Sequence, residues 1–232
     1  MRKTVAAVFA GALVLTLALC SNFYAEQASP RVVSALQGEV PSDAVVLFDG
    51  KDLSQWVHPD GSPASWLVSD GAMTVAKGGI KTKKEFGDIQ LHLEFRMPAP
   101  AMGEGQDRGN SGVYLQGNYE VQVLDSYINE TYIDGMCGAI YMISPPLVNA
   151  CRPPGLWQCY NIIFRAPKFD SAGKLVKKAT VTVLHNGVLI QDHVEMEPTG
   201  SRIGTSEAVR GPIFLQDHNH PVKYRNIWLR EL

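Results

Sequence analysis

The chain has 232 residues, 45% of them hydrophobic, which is enough to bury one sizeable core. It carries 21 Lys and Arg against 23 Asp and Glu, a formal net charge of −2, and the basic residues are scattered along the sequence. Binding to a nucleic-acid backbone requires a strongly positive surface, so the composition argues against a nucleic-acid partner.

Residues 1–20 have the pattern of a signal peptide. Arg2 and Lys3 form a short positive region, and an uninterrupted apolar run follows from Ala6 to Leu19. This run is too short to span a bilayer, which needs about 20 apolar residues, so a cleaved signal is favoured over a membrane anchor. We therefore expect an exported protein, located in the periplasm, attached to the outer membrane or secreted.

The end of this segment leaves two processing routes open. Leu17-Ala18-Leu19-Cys20 is similar to a bacterial lipobox, but Leu19 stands where a small residue is expected. Either a lipid is attached to Cys20, which is the membrane association that we expect, or an ordinary signal peptidase cuts nearby. Residues 21–43 then form a polar tether, and residues 44–232 form the folded domain.

From residue 44 onward the sequence has the period of β-strands. Apolar residues alternate with polar ones over residues 89–96, which predicts a strand with one buried face. Asn186-Gly187 between two such runs predicts a hairpin. Further strands are predicted at residues 66–75, 112–116, 119–125, 139–142, 157–165, 179–184, 188–194, 212–216 and 222–229. Because no helical period persists, the predicted fold is all-β, a two-sheet antiparallel jelly-roll sandwich.

A polar turn with two glycines precedes one of these strands. It runs from Arg108 through Asn110 to Gly112, and Tyr114 follows in the strand. Tight turns of this kind at a strand entrance allow short polar side chains to project into a cleft. The same pattern alone is also typical of an ordinary turn.

The next strand carries the most informative polar residues. Glu120 and Gln122 share one face of it, and a bulge near Leu124 would bring Asp125 beside them. Two carboxyl groups with an amide are the groups that glycosidic cleavage uses, because one carboxyl exchanges a proton with the glycosidic oxygen while the other handles water or positive charge. A solvated polar strand face is the alternative interpretation.

Three cysteines remain after Cys20 is removed or lipidated. In an oxidising compartment, Cys137, Cys151 and Cys159 predict one disulfide and one free thiol. Of the three pairings, Cys137 with Cys151 is preferred because both flank a Pro-rich loop. Three unpaired buried cysteines are the alternative, and the spacing does not suggest a structural zinc site.

Two further segments carry candidate binding groups. Trp157 begins an aromatic and amide-rich strand that suits stacking on a sugar ring, although Trp157 is equally suited to the core. Gln216, Asp217 and His218 end another strand, where a histidine beside an aspartate can act as a general base or a metal ligand. The sequence permits a divalent cation at Asp217 and His218 without demanding one, and two exposed histidines are the plainer interpretation.

Motifs in one continuous order identify a family. They are Leu47–Trp56, Gly109–Gly112, Tyr119–Asp125, Gly138–Tyr141, Pro153–Gln158, Gly211–His218 and Tyr224–Leu229. Over residues 44–232 the chain resembles the 3-keto-disaccharide hydrolase family. The resemblance implies a concanavalin A-like lectin/glucanase sandwich, usually exported, that acts on glycosides whose 3-hydroxyl a separate dehydrogenase has oxidised to a ketone.

Family order and side-chain chemistry together give a set of candidate site residues. The candidates for catalysis are Glu120, Asp125, His218 and Arg108. The candidates for substrate binding are Asn110, Tyr114, Gln122, Tyr141, Trp157, Gln216 and Asp217.

The spacing of Glu120, Gln122 and Asp125 is also similar to the E-x-D-x-x-E strand of laminarinase-type glucanases. Here the central residue is neutral and the last carboxylate is shorter, which disfavours the two-carboxylate retaining mechanism of those enzymes. A 3-keto sugar offers elimination and hydration instead, with His218 or Glu120 as base, Arg108 or a cation on the enolate, and Asp125 assisting the leaving oxygen.

Two other classes of function fit the sequence. The sandwich also serves as a non-catalytic carbohydrate-binding module or lectin, for which stacking on Trp157, Tyr114 or Tyr160 would suffice. A structural surface protein is the third class. Convergence of Glu120, Asp125, His218 and Arg108 in one pocket would favour an enzyme, because a lectin does not require it.

Overall fold

A computed structural model of the protein describes residues 30–36, 39–199 and 206–232. The chain divides into two compact units, residues 1–34 and residues 35–232. In the first unit, residues 30–34 have no regular secondary structure. The predicted signal peptide with Cys20, and residues 21–29 of the predicted tether, lie outside the described residues. Within the described ranges, no helix has the length and apolar character needed to cross a membrane.

The second unit is formed by β-strands, with two short 3-10 turns at Gly105–Asp107 and Ile133–Gly135. In its described part the strands are β1 (Val45–Phe48), β2 (Trp56–Val57), β3 (Leu67–Ser69), β4 (Ala72–Thr74), β5 (Ile80–Thr82), β6 (Ile89–Arg96), β7 (Ser111–Leu115), β8 (Tyr119–Val123), β9 (Trp157–Arg165), β10 (Lys168–Phe169), β11 (Leu175–Lys177), β12 (Ala179–His185), β13 (Val188–Met196), β14 (Phe214–Leu215) and β15 (Lys223–Glu231).

These strands form two main sheets. The larger has the order β13-β12-β9-β6-β15-β4-β3, with β1 also paired to β15, and the smaller has the order β2-β5-β14-β7-β8. Strands β10 and β11 form a separate ribbon. Each pairing among the described strands is antiparallel. The predicted all-β, two-sheet antiparallel fold is confirmed.

The inner faces of the two sheets share one apolar core. In β6 the residues Ile89, Leu91, Leu93 and Phe95 are buried while the residues between them are half-buried, as the alternation of the sequence predicts. Polar contacts and packed aromatic rings also join the sheets. The Tyr224 hydroxyl donates to Ser111 Oγ at 2.7 Å, and the Tyr160 hydroxyl donates to the Gln122 carbonyl oxygen at 2.7 Å. The tilted rings of Tyr119 and Phe164 have their centres 5.6 Å apart.

Strands β7 and β8 depart from this alternation. All ten of their residues are buried, although Glu120 and Gln122 point away from the core. Loops therefore cover the outer face of the smaller sheet at these strands. A covered polar sheet face is unusual, because polar groups are normally left in water unless they are hydrogen bonded.

The predicted strand at residues 139–142 is wrong. Ile140 makes only isolated bridges to Val121 and Ser144, and the chain then turns, with Met142 in the left-handed region at φ 59°. The amides of Ile143 and Ser144 both donate to the Ile140 carbonyl oxygen. These local hydrogen bonds satisfy the backbone in a tight turn, where a strand would have needed a partner along its whole length.

The predicted disulfide between Cys137 and Cys151 is not formed. Both residues are free thiols, as is Cys159. The pairing was nevertheless correct in placing the two residues together, because their sulfur atoms lie within 4.8 Å of one another. Cys137 Sγ is hydrogen bonded to the Tyr160 hydroxyl at 3.0 Å.

Candidate functional site

A recess of about 80 Å³ opens on the outer face of the smaller sheet. Strand β8 provides its floor, and the segments that follow β6, β8 and β14 provide its walls. The residues that line it are Gln106, Asn110, Glu120, Gln122, Tyr132, Tyr141, Gln216 and His218.

The carboxylate of Glu120 lies at the floor of the recess and is only 2% exposed. The Tyr114 hydroxyl donates to Glu120 Oε2 at 2.6 Å and accepts from Gln216 Nε2 at 3.2 Å. On the neighbouring strand, a Cβ atom at Gly112 would overlap Glu120 Oε1. A side chain at position 112 would therefore force Glu120 and the Tyr114 ring to shift, so glycine is favoured here for space rather than for its backbone angles.

Amide side chains form one wall of the recess. Gln122 Nε2 donates to Gln106 Oε1 at 3.0 Å and to the Gly135 carbonyl oxygen at 3.2 Å, while the Asn110 amide donates to the Gln106 carbonyl oxygen at 2.8 Å. Gln122 Oε1 and Gln216 Oε1 have no hydrogen-bond partner among the described residues. Buried amides that keep an unused acceptor are rare, and they occur where a ligand or water completes the hydrogen bonding.

Two aromatic pairs border the recess. The hydroxyls of Tyr132 and Tyr141 lie 2.8 Å apart, and desolvation, together with this hydrogen bond, raises the pKa of Tyr132. His218, which is exposed, stacks on His220 with ring centroids 6.1 Å apart. His220 Nε2 in turn lies 3.4 Å from Asp107 Oδ1. The border therefore offers a phenol pair and an accessible imidazole.

Arg108 and Asp125 do not line the recess. Arg108 Nε donates to Asp125 Oδ2 at 2.8 Å, and the rest of the guanidinium donates to the carbonyl oxygens of Tyr127 and Ile128. Asp125 Oδ1 also accepts from the Tyr127 amide. Leu124 follows Val123 into the core, and the Asp125 carboxylate is engaged in the turn that follows β8.

Asp217 and Trp157 also lie outside the lining. Asp217 accepts from the amides of Gly78 and Asn219, which fixes the turn that carries His218. Trp157 belongs to β9 of the larger sheet, where the guanidinium carbons of Arg96 and Arg225 lie 4.8 and 4.1 Å from its ring centre. The structure places this aromatic ring on the other sheet, where two cations occupy its faces.

The structure thus brings together Glu120 and His218 with the predicted binding residues Asn110, Gln122, Tyr141 and Gln216, and it places Tyr114 directly behind Glu120. Sequence reasoning missed Gln106 and Tyr132. Both residues lie in loops, which have no periodic pattern. Only their nearness in sequence, of Gln106 to the Arg108–Gly112 turn and of Tyr132 to the end of β8, could have indicated them.

Metal-ligating side chains are grouped elsewhere. In the described part of the chain, one set of three can share an ion, namely Cys137, Cys151 and His185. It lies between the larger sheet and the segment that ends at Tyr141. The Asp217 and His218 end, where the sequence permits a cation, does not belong to this set.

Comparison with known proteins places the molecule in a family. Residues 43–230 match the model of the 3-keto-alpha-glucoside-1,2-lyase-like domain. The chain belongs to this family. The resemblance to this family that the sequence motifs indicated is therefore confirmed.

Solved structures agree with this assignment. A crystal structure described as a "putative glycosyl hydrolase" from Parabacteroides distasonis ATCC 8503 is 47% identical over 92% of this chain and 96% of its own, with a TM-score of 0.80. Two further proteins of that organism have the same description and are 18% and 21% identical to this chain. Their TM-scores are 0.60 and 0.57, each over 82% of this chain and over 94% and 99% of their own chains. At this level of identity the two structures show the fold alone. No curated protein matches the sequence. Family and fold together indicate a carbohydrate-active domain that is similar to glycosyl hydrolases.

Proposed function

We propose that the recess cleaves glycosides whose C3 hydroxyl has been oxidised to a ketone. The observation that carries this proposal is the buried Glu120 carboxylate, hydrogen bonded by Tyr114, in the same recess as His218. Two groups able to exchange protons beside a wall of amides are suited to acid–base cleavage of a sugar. The family's description as a 3-keto-alpha-glucoside-1,2-lyase-like domain supports both the ketone and an elimination route.

The size of the recess supports a small substrate. Its volume of about 80 Å³ is well below the roughly 300–1,000 Å³ of pockets that enclose drug-sized ligands. It is suited to the reacting edge of one sugar ring, with the rest of the substrate outside. We therefore favour a small 3-keto glycoside over an internal bond of a long polysaccharide.

The ketone makes elimination chemically accessible. A carbonyl group at C3 acidifies the hydrogen on C2, so a base can remove that proton and leave an enolate. The enolate electrons then form the C1–C2 double bond as the bond from C1 to the glycosidic oxygen breaks, and that oxygen takes up a proton. Addition of water across the double bond gives the free 3-keto sugar, so the two steps sum to hydrolysis.

The recess supplies a group for each proton. We assign Glu120 as the acceptor of the C2 proton, because its carboxylate is an acceptor in the hydrogen bond from Tyr114. We assign His218 as the donor to the leaving oxygen, because a ring N–H can donate to an oxygen and this ring is exposed at the border of the recess. We assign the hydroxyls of Tyr132 and Tyr141, which both line the recess, to stabilisation of the enolate oxygen. Arg108 and Asp125 support the adjoining turn.

The direct test is an assay with a 3-keto aryl glucoside and its unoxidised parent. We expect release of the aryl alcohol from the 3-keto compound alone. In deuterated water, elimination followed by hydration places deuterium at C2 of the product, whereas direct hydrolysis leaves the original hydrogen there. Binding of the 3-keto compound without release of the alcohol would contradict the proposal and support a carbohydrate-binding module.

We further propose that the protein is exported and works downstream of a separate dehydrogenase that forms the ketone. The basis is the N-terminal signal pattern and the oxidised substrate that the elimination requires. N-terminal sequencing and mass measurement of the mature protein test the export step. A lipid on Cys20, a cut nearby without lipid and an uncut N-terminus give three different masses, and the last would contradict export.

A further inference from the structure

We propose that Cys137, Cys151 and His185 form a buried binding site for a thiophilic d10 metal ion, of which Zn²⁺ is the example. The proposal is separate from the chemistry of the recess. One ligand atom from each residue lies within 4.8 Å of the other two. A tetrahedral zinc ion with bonds of about 2.3 Å to sulfur holds two sulfurs about 3.8 Å apart, so the observed cluster needs only a small contraction.

Hydrogen bonds outside the cluster prepare the imidazole for this role. The backbone amide of Arg152 donates to Gln158 Oε1 at 2.9 Å, which fixes that atom as the amide oxygen. His185 Nε2 lies 2.9 Å from the same oxygen and must therefore carry the ring proton. His185 Nδ1 is then left with a free lone pair, and among the described residues it has no hydrogen-bond partner although His185 is fully buried.

A buried imidazole nitrogen that has an unused lone pair and lies beside two thiols is suited to bind a metal ion. Ligating histidines commonly donate their other N–H to an oxygen, as His185 does to Gln158. The ring is also held in place by its neighbours, because its centre lies 4.9 Å from that of Tyr160 and 5.7 Å from that of Phe95.

The two cysteines are free thiols, so binding of an ion requires that both be deprotonated. When the ion binds, each sulfur loses its proton, two protons leave, and two thiolates with one divalent cation give no net charge. A group of ion and ligands with no net charge is compatible with burial, whereas an isolated charge at this position would be strongly disfavoured. Cys151, the half-buried member, provides the side from which the ion and a water as fourth ligand would enter.

The position of the cluster suggests what the ion does. Cys137 lies in the segment between Tyr132 and Tyr141, both of which line the recess. Cys151 lies just before β9, and His185 ends β12. A metal at this point would fasten one wall of the recess to the larger sheet, and would do so without touching the reacting groups.

The test is Zn²⁺ binding by the reduced full-length chain, followed by metal analysis after gel filtration and by the thiolate-to-metal absorption of the Co²⁺ form. We expect one ion per chain and slow alkylation of Cys137 and Cys151 until a chelator is added. Cys151→Ser should weaken Zn²⁺ binding by more than about 100-fold, since even the loss of an outer hydrogen-bond partner costs 10–100-fold. His185→Asn should act in the same way.

Cys159→Ser is the matched control, because it removes the third thiol outside the cluster and should leave binding unchanged. Absence of Zn²⁺ uptake by the wild-type chain, or equal uptake by Cys151→Ser, would overturn the proposal. So would a disulfide between Cys137 and Cys151 in protein isolated without reductant, because bonded sulfurs cannot serve as thiolate ligands. The alkylation measurement needs no variant, so it remains decisive if His185→Asn does not fold.

Discussion

The outer faces of the two sheets both carry carboxylates and aromatic rings, but they hold them differently. On the larger sheet, Glu94 accepts from Arg225 and Asn226, and Trp157 is covered by guanidinium groups, so these half-exposed groups satisfy one another. On the smaller sheet, Glu120 is buried in a recess whose amides keep unused acceptors. The comparison shows that the presence of carboxylates and aromatic rings does not by itself indicate a functional site. A site is indicated by polar groups that are buried and whose hydrogen bonding is incomplete.

The largest expected contrast is between Glu120→Gln and Glu94→Gln, which make the same exchange on the two faces. If Glu120 accepts the C2 proton, its loss should lower kcat/KM for a 3-keto aryl glucoside by about 10²–10⁴-fold. Glu94→Gln should leave kcat/KM within about 2-fold, because it disturbs only a partly exposed ion pair. Equal effects of the two variants would remove the distinction between the faces.

The ion pairs Arg108–Asp125 and Arg225–Glu94 should contribute differently to the free energy of unfolding. Asp125 and Arg108 are both largely buried, so Asp125→Ala leaves a charged guanidinium without its partner and should cost about 3 kcal/mol of unfolding free energy. Glu94→Ala, which breaks the more exposed pair with Arg225, should cost less than about 1 kcal/mol. Urea unfolding measures both. A loss for Asp125→Ala as small as that for Glu94→Ala would show that the Asp125 pair is not structural.

A smaller effect is expected at the hydrogen bond behind the carboxylate. Tyr114→Phe removes the donor to Glu120 Oε2 and should lower kcat by about 10-fold, since hydrogen bonds to charged groups contribute about 1.5–3 kcal/mol. In a double-mutant cycle, Tyr114→Phe should add little to the loss caused by Glu120→Gln. Full additivity of the two losses would show that Tyr114 acts independently of Glu120.

The smallest effect concerns acid sensitivity at Asp88, where β6 begins and β9 ends in the larger sheet. Burial raises the pKa of Asp88, but hydrogen bonds from Lys168 and from the Ala166 amide outweigh it, so the pKa lies below its ordinary value of 3.8. A carboxyl group with a lowered folded pKa stabilises the protein above the unfolded pKa, and this contribution is lost as the pH falls below about 3.8.

Asp88→Asn should therefore reduce the unfolding free energy by up to about 1 kcal/mol at neutral pH and make it less dependent on pH below about 4. Urea midpoints between about pH 3 and pH 6 measure this dependence. An unchanged acid slope in the variant would show that other carboxyl groups are responsible.

The local parts of the fold were accessible from the sequence. The alternation at residues 89–96 predicted β6 with its boundaries, and the hairpin at Asn186-Gly187 joins β12 to β13 as expected. Both predictions rest on neighbouring residues alone. The turn after Ile140 was missed because apolar residues suggested a strand, whereas the local hydrogen bonds that decide the conformation leave no periodic pattern.

The site was less accessible, because its geometry depends on which sheet each strand joins. The sequence identified Glu120 and Gln122 as neighbours on one face, which requires only the two-residue period of a strand. It could not place Trp157 on the opposite sheet, nor show that Asp125 would be taken by Arg108, since these depend on long-range packing. Gln106 and Tyr132 reach the recess from loops, whose paths the surrounding structure decides.

The missing side chain at Gly112 also ties two positions of the sequence together. Because the Glu120 carboxylate occupies the space where a Cβ atom would stand, residue 112 can gain a side chain only if residue 120 moves or becomes smaller. The two positions should therefore change together among related chains. Relatives with glycine at 112 and glutamate at 120 should keep the carboxylate at the floor of the recess. Relatives with a larger residue at 112 should have lost it.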